Sequence, residues 1–145
     1  MDVSIRPLTV DDADELAALY VANRAFLAPF EPAHGDAFFT PEGQRAGLAA
    51  SPPNRHPFAI VVVGGIVGTV TLSNVARGAF LSCTVGYWVA EAWNGRGIAT
   101  RAVGLATRYA FDMLGLHRVE AGTLVHNIRS QRVLERNGFT RYGLA

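Results

Sequence analysis

All seven prolines of this 145-residue chain (Pro7, Pro29, Pro32, Pro41, Pro52, Pro53 and Pro57) fall within its first 57 residues. Proline fixes φ and removes a backbone donor, so it stops helices and is kept out of central strands. The chain therefore changes character there: proline interrupts residues 1–57, and none occurs in residues 58–145. One ordinary domain accommodates this length, and a chain that is 50% hydrophobic and 17% charged has the apolar material for one sizeable core. We read residues 1–145 as a single domain with a proline-bearing part, 1–57, and a proline-free part, 58–145.

Residues 3–8 alternate like a strand, and Thr9 precedes the acidic first turn of a helix, Asp11, Asp12, Asp14 and Glu15, which leads into Leu16, Leu19 and Tyr20. Residues 23–36 form an aromatic segment that Pro29 and Pro32 keep from being one continuous helix, and such a segment is expected to line a pocket. Thr40-Pro41 restarts a helix with a cap and a first-turn proline, and Ser51-Pro52-Pro53 ends it. Two β-rich runs, 58–63 and 66–72, are separated by Gly64-Gly65, a two-residue hairpin signal. A third run covers 80–89. It is followed by a helix over about residues 97–114, a strand over about 118–125 and a helix over about 128–136, with Asn137-Gly138 as a stop. The order β-α-α-β-β-β-α-β-α predicts an α/β (α+β) fold, a mixed sheet with helices packed against it.

The 13 basic residues are all Arg and stand against 12 acidic ones, and a net charge of +1 is too small for non-specific nucleic-acid binding. The balance hides an asymmetry: residues 1–92 hold five Arg against nine carboxylates, and residues 93–145 hold eight Arg against three. The two halves suit partners of opposite charge. Cys83 is the only cysteine, which excludes an intramolecular disulfide and a thiolate zinc quartet, and on a strand it reads as a small buried apolar residue. His34, His56, His117 and His126 lack metal-ligand spacing, so no metal is expected. The opening 12 residues carry three acidic side chains, unlike a secretory leader, and no apolar run approaches the roughly 20 residues of a membrane span. The expected location is the cytoplasm, with neither membrane nor nucleic acid as a direct partner.

The chemistry-bearing stretch is residues 85–100, where a β-rich run passes through Asn94-Gly95-Arg96-Gly97 into a helix. The first turn of a helix leaves N–H groups without intrahelical partners, and its dipole adds positive potential, so main chain there can hold phosphate oxygens. Glycines at 95 and 97 allow close approach, although their spacing alone equally suits a tight strand-to-helix turn. A dinucleotide fingerprint is the competing reading, with Glu120 about 20 residues further on. Against it, Thr100 takes the third glycine position, the motif follows a late strand, and Glu120 falls inside its own strand.

Asn94-Gly95-Arg96-Gly97-Ile98-Ala99 resembles the Gln/Arg-x-x-Gly-x-Gly/Ala acetyl-CoA loop of the GNAT superfamily of N-acetyltransferases, with Asn in first place. Residues 127–139, running from Asn127-Ile128-Arg129-Ser130 to Asn137-Gly138-Phe139, resemble that superfamily's second cofactor motif. Together with residues 74–80 and 23–32 they are similar to the ribosomal-protein-alanine N-acetyltransferases, and the likeness spans nearly the whole chain. The resemblance implies a GNAT-like, mostly antiparallel central sheet with helices on both faces, with residues 1–57 on the substrate side and 58–145 as the acetyl-CoA-binding core. It also implies direct transfer, in which a neutral amine attacks the thioester carbonyl and CoA leaves as a thiol. By position, the backbone of Tyr87, Trp88 and Val89 would meet the pantetheine arm, with a main-chain N–H near Val89 polarising the carbonyl. Gly95, Arg96, Gly97, Ile98, Ala99 and Thr100 would cradle the pyrophosphate, and Asn127 would orient the pantetheine or the following helix.

Many members of the superfamily carry a Tyr that protonates the departing thiolate at the position of Leu134, which has no proton to give. Ser130 lies one helical turn earlier on the same face, and the resemblance makes it the donor, the alternative being that it only hydrogen-bonds cofactor or backbone. The position where some relatives carry a basic Glu is Gly122 here, so the general base is left unassigned. Glu120 shares a strand face with Gly122 by period two. Phe30 and Glu31, in the proline-bounded segment, are expected beside the acceptor, where Glu31 would attract an ammonium; a solvated role is the alternative for either Glu. Arg129 and Arg132 face CoA phosphates or solvent.

The expected function is transfer of an acetyl group from acetyl-CoA to a primary amine, the N-terminal α-amine of a ribosomal protein. Acetylation of a small-molecule amine and a non-catalytic CoA-binding module are the alternatives. Relatives with these motifs continue past Gly138-Phe139 into a further β-hairpin, whereas this sequence stops at Ala145. The expectation is a truncated hairpin or an edge supplied by a partner chain, such as a second copy in a homodimer.

Overall fold

The computed structural model describes residues 1–31, 33–122 and 127–141. Among these, five strands form one sheet in sequence order: β1 (Val3–Pro7), β2 (His56–Val62), β3 (Gly65–Ala76), β4 (Ser82–Val89) and β5 (Arg118–Glu120). The first four are antiparallel to their neighbours, and β5 runs parallel to β4. The helices are α1 (Ala13–Leu27), α2 (Pro41–Ala49), α3 (Ile98–Asp112) and α4 (Ile128–Arg136), with short 3-10 turns at Val10–Asp12, Asp36–Phe39 and Glu91–Trp93. The element order read from the sequence is therefore the observed one.

Period two along β4 assigns a helix to each face of the sheet. Cys83, Val85 and Val89 pack in one cluster with Ile98, Ala102, Ala106 and Ala110, an i, i+4 stripe of α3 that is at most 1% exposed. Its alanines let the helix lie close to the strands. Trp88 points the other way, into a second cluster with Leu19, Tyr20 and Leu27 of α1. Helices thus cover both faces.

The hairpin between β2 and β3 turns one residue earlier than Gly64-Gly65 suggests. Val62 pairs with Gly65, so the loop is Val63-Gly64, with φ of 52° and 78°, the two positive angles that a type I′ turn requires. The cause is a bulge: Ile60 pairs with Gly68 but Val61 with Ile66, which consumes an extra residue of β3 and shortens the loop. Gly65 becomes a strand residue, and the next N–H, that of Ile66, donates to Glu15 Oε2 at 2.8 Å.

Other boundaries shift for local reasons. Gly97 has a φ of 75°, in the left-handed region, and acts as N-cap, so α3 begins one residue later, at Ile98, and it ends at Asp112. The strand expected over 118–125 is β5, which stops at Glu120; residues 121–122 leave the sheet, and 123–126, including His126, lie outside the described residues. Pro32 and residues 142–145 also lie outside them. The Asn137-Gly138 stop is a Schellman closure: Gly138 N–H donates to Glu135 O and Phe139 N–H to Leu134 O, each at 3.0 Å, with Gly138 at φ 81°.

The proline-bearing part is fastened to the sheet by charge as well as packing. Asp12 accepts two bonds from the Arg6 guanidinium and one from Thr9 N–H, each at 2.9 Å. These contacts, the Arg6 hydrogen bond foremost, hold its carboxyl below the ordinary carboxylate range. Asp12→Asn is expected to destabilise the fold by about 1–3 kcal/mol at neutral pH. A depressed pKa supplies stability that is present above the unfolded value near 3.9 and lost as pH falls through the folded one. The gap in urea midpoint between parent and variant should therefore close on acidification below about pH 4. A gap unchanged between neutral and strongly acidic pH would show that the carboxylate charge is not its source.

Candidate active site

Strand β4 has eight residues, but β5 pairs with only Ser82, Cys83 and Thr84. Past Thr84, the flank of β4 that faces β5 borders a cleft of about 1200 Å³, lined by Val85, Gly86, Tyr87, Trp88 and Val89. The cleft continues over the start of α3, along α4, and to the end of α1 with Phe30 and Glu31 beyond it.

The approach to α3 is built for close contact with a ligand. Gly97 brings no side-chain oxygen to cap the helix, and the first turn holds no acidic residue, so the N–H groups of Ile98, Ala99 and Thr100 lack intrahelical and carboxylate partners. Gly95, at φ 77°, also lines the cleft. The preceding Asn94 donates from Nδ2 to Val89 O at 3.3 Å, which ties the loop back to β4. Of the residues expected at the pyrophosphate, Arg96 is the exception: it does not line the cleft, and its guanidinium sits over the Trp93 ring, 5.0 Å from the centroid.

Helix α4 supplies the facing wall. Asn127 is its N-cap, Oδ1 accepting from Ser130 N–H at 3.1 Å, which orients the start of the helix. Arg129, Arg132 and Arg136 all line the cleft, which together with the α3 N-terminus makes this region electropositive. Leu134 is only 8% exposed and packs with Val103 and Val133, a core residue with no access to chemistry. Ser130 does reach the cleft, and its hydroxyl is hydrogen-bonded to the hydroxyl of Tyr87. Tyr87 Oη also lies 3.1 Å from Ser130 O. Burial pushes the Tyr87 phenol pKa up, partly offset by the Ser130 bond.

At the α1 end, Glu31 is the one carboxylate among the described residues lining the cleft. Burial raises its pKa, and His34, with Nε2 3.9 Å from Oε2, opposes that shift. Glu31 also borders a smaller cavity of about 200 Å³ with Tyr20, Arg24, His34, Phe38 and Phe39. The His34 and Phe38 rings stack at 3.8 Å. Glu120, by contrast, does not line the cleft; it pairs with Arg118 at 2.7 Å. Because β5 ends at Glu120, period two does not carry its direction on to Gly122, which does line the cleft. Cys83 is buried with its thiol pushed up to about 11, so it is not a nucleophile at neutral pH.

Sequence reasoning missed the side chains that join the two parts of the molecule at this cleft. Trp88 Nε1 donates to Tyr20 Oη at 3.1 Å. Buried Asn23 accepts from Glu91 N–H at 2.9 Å and donates to Leu19 O at 2.8 Å. Tyr20 and Asn23 stand at i, i+3, so a shared polar face on α1 was the available signal. Among the described residues no group of three or more His, Cys, Asp or Glu could hold a metal ion, and no helix is long and apolar enough to cross a membrane.

An acetyltransferase (GNAT) domain family model matches residues 2–140. The chain is 39% identical over 150 residues to the probable N-acetyltransferase YjcK of Bacillus subtilis, an alignment covering 99% of this chain and 83% of that one. It is 34% identical over 141 residues to the [ribosomal protein uS5]-alanine N-acetyltransferase of Escherichia coli, covering 92% of this chain and 73% of that one. Among solved structures, the ribosomal-protein-S5-alanine acetyltransferase of Vibrio fischeri superposes with a TM-score of 0.92 at 33% identity, covering 99% of this chain and 82% of that one. Mycobacterium smegmatis RimJ in complex with CoA-disulfide superposes with a TM-score of 0.91 at 34% identity, covering 97% and 71%.

Proposed function

The chain belongs to the GNAT acetyltransferase family and is an acetyl-CoA-dependent N-acetyltransferase, and from that premise we propose that its acceptor is the N-terminal α-amine of a ribosomal protein. The observation that carries the reading is the polarity of one cleft. Its α3 and α4 walls offer helix N–H groups and three arginines suited to the phosphates of CoA, and its α1 wall offers Glu31, suited to an ammonium. Likeness to enzymes named for uS5-alanine acetylation supplies the acceptor class.

In this reading Gly95, Gly97, Ile98, Ala99 and Thr100 cradle the pyrophosphate with main-chain donors, and the β4 backbone from Tyr87 to Val89 runs beside the pantetheine. Arg96, held over Trp93, acts at the rim of the loop. Asn127 fixes the start of α4 and so the direction of Ser130. Glu31, with Phe30 beside it, draws in the cationic amine, which must lose a proton before it attacks. As the C–N bond forms and the C–S bond breaks, Ser130 provides the proton for the departing sulfur. An acceptor of this kind is made in the cytoplasm, and we place the enzyme there.

Thiol release from acetyl-CoA with Ala-, Ser- and Met-initiated peptides beside polyamines tests the acceptor. Release is expected with peptides, the Ala-initiated ribosomal sequence foremost. Release with polyamines alone would move the acceptor to small amines, and tight CoA binding without acceptor-dependent release would overturn the enzymatic reading.

A further inference from the structure

Tyr87 stands in β4 on the face that carries Val85 and Val89, and its ring packs against both the main core cluster and the Val103, Val133, Leu134 cluster beneath α4. An aromatic ring held on two sides keeps its hydroxyl in one place. That place is against Ser130, with Oη hydrogen-bonded to Oγ and 3.1 Å from the backbone oxygen.

We propose that Tyr87 is a positioning residue for acetyl transfer: its hydroxyl donates to Ser130 Oγ, which leaves the Ser130 proton aimed at the sulfur of the departing CoA. The inference rests on the reading of Ser130 as proton donor. The Tyr87 hydroxyl also donates to the Ser130 backbone oxygen at 3.1 Å, while the Oη–Oγ bond can run in either direction, so as the Ser130 proton moves to sulfur the Tyr87 proton turns to Oγ. When negative charge develops on sulfur, the favoured arrangement has both hydroxyls oriented along one chain toward it, Tyr87 to Ser130 to sulfur. Hydrogen bonds in such a chain polarise and strengthen one another.

The proton balance closes without ionising Tyr87. The amine gives one proton to solvent as the C–N bond forms, the sulfur takes one from Ser130 as the C–S bond breaks, and Ser130 takes one back from solvent, so the count is even. Burial keeps the phenol protonated throughout the working pH range, so Tyr87 remains a donor during turnover.

The test is a double-mutant cycle of Tyr87→Phe and Ser130→Ala in the full chain, with kcat and KM for acetyl-CoA measured using an acceptor that the parent enzyme turns over, together with thermal melting of each variant. Tyr87→Phe is expected to lower kcat about tenfold, as for one well-aligned hydrogen bond, with KM for acetyl-CoA and the melting temperature nearly unchanged. In the Ser130→Ala background it should have no further effect. A loss of the same factor with and without the Ser130 hydroxyl would overturn the coupling and leave the Ser130 reading standing. So would a loss that appears as raised KM with a lowered melting temperature, or no loss at all. A different result, Ser130→Ala at parental turnover, would overturn the Ser130 reading and this inference with it.

Discussion

Ser130→Ala is expected to lower kcat about 100-fold while KM for acetyl-CoA changes little, because a positioned proton donor contributes to the transition state and hardly to ground-state binding. The variant should fold normally. The Asn127 cap engages the Ser130 backbone N–H, which alanine retains, and alanine is the best helix former. Leu134 is buried and offers no substitute donor one turn away. Steady-state thiol release at saturating acetyl-CoA is the measurement, and unchanged turnover would remove Ser130 from the chemistry.

Gly68→Ala is expected to be the most damaging single methyl that the fold can receive near the site. A Cβ at Gly68 would fall 2.1 Å from Trp88 O and 2.9 Å from Val89 Cα, so β3 and β4 would have to separate. Overpacking of this kind costs about 3 kcal/mol, or about 10 °C in melting temperature for a domain of this size. The displaced backbone is that of Trp88 and Val89, and Val67 O holds Ala90 N–H at 2.8 Å, so KM for acetyl-CoA should rise as well. Gly47→Ala on α2, where a Cβ meets nothing within 4 Å, is the control and should be neutral or stabilising. Equal melting temperatures for the two variants would show that the strands tolerate the insertion.

Much of this molecule was legible in the chain because its punctuation is local. Gly97 announces the start of α3 through a backbone angle that few other residues accept, and Asn137-Gly138 announces the end of α4 in the same way. The hairpin was misplaced by one residue because a bulge between Ile60 and Val61 changes the register, and a register depends on both strands at once. The span of β5 was overestimated because a β-rich composition does not reveal where a neighbouring strand ceases to pair. Phe30, Glu31, Tyr87 and Ser130 line one cleft, yet the bond between Tyr87 and Ser130 joins residues 43 apart, and that between Tyr20 and Trp88 joins residues 68 apart. No spacing rule reaches that far. Arg96 does not line the cleft, and its guanidinium lies over the ring of Trp93, three residues earlier, a local pairing that the glycine-loop reading passed over.

The arginine wall of α4 has a consequence for the enzyme's own chemistry. Arg129, Arg132 and Arg136 line the cleft that we propose takes up a reactive thioester. Lysines would offer the same charge, but crowded cations depress an ammonium's pKa, and the resulting free amine is a nucleophile that the thioester would acylate. A guanidinium keeps its proton at any working pH and does not compete. These 145 residues hold 13 arginines and no lysine, so none of them presents a lysine amine that could be mistaken for the substrate.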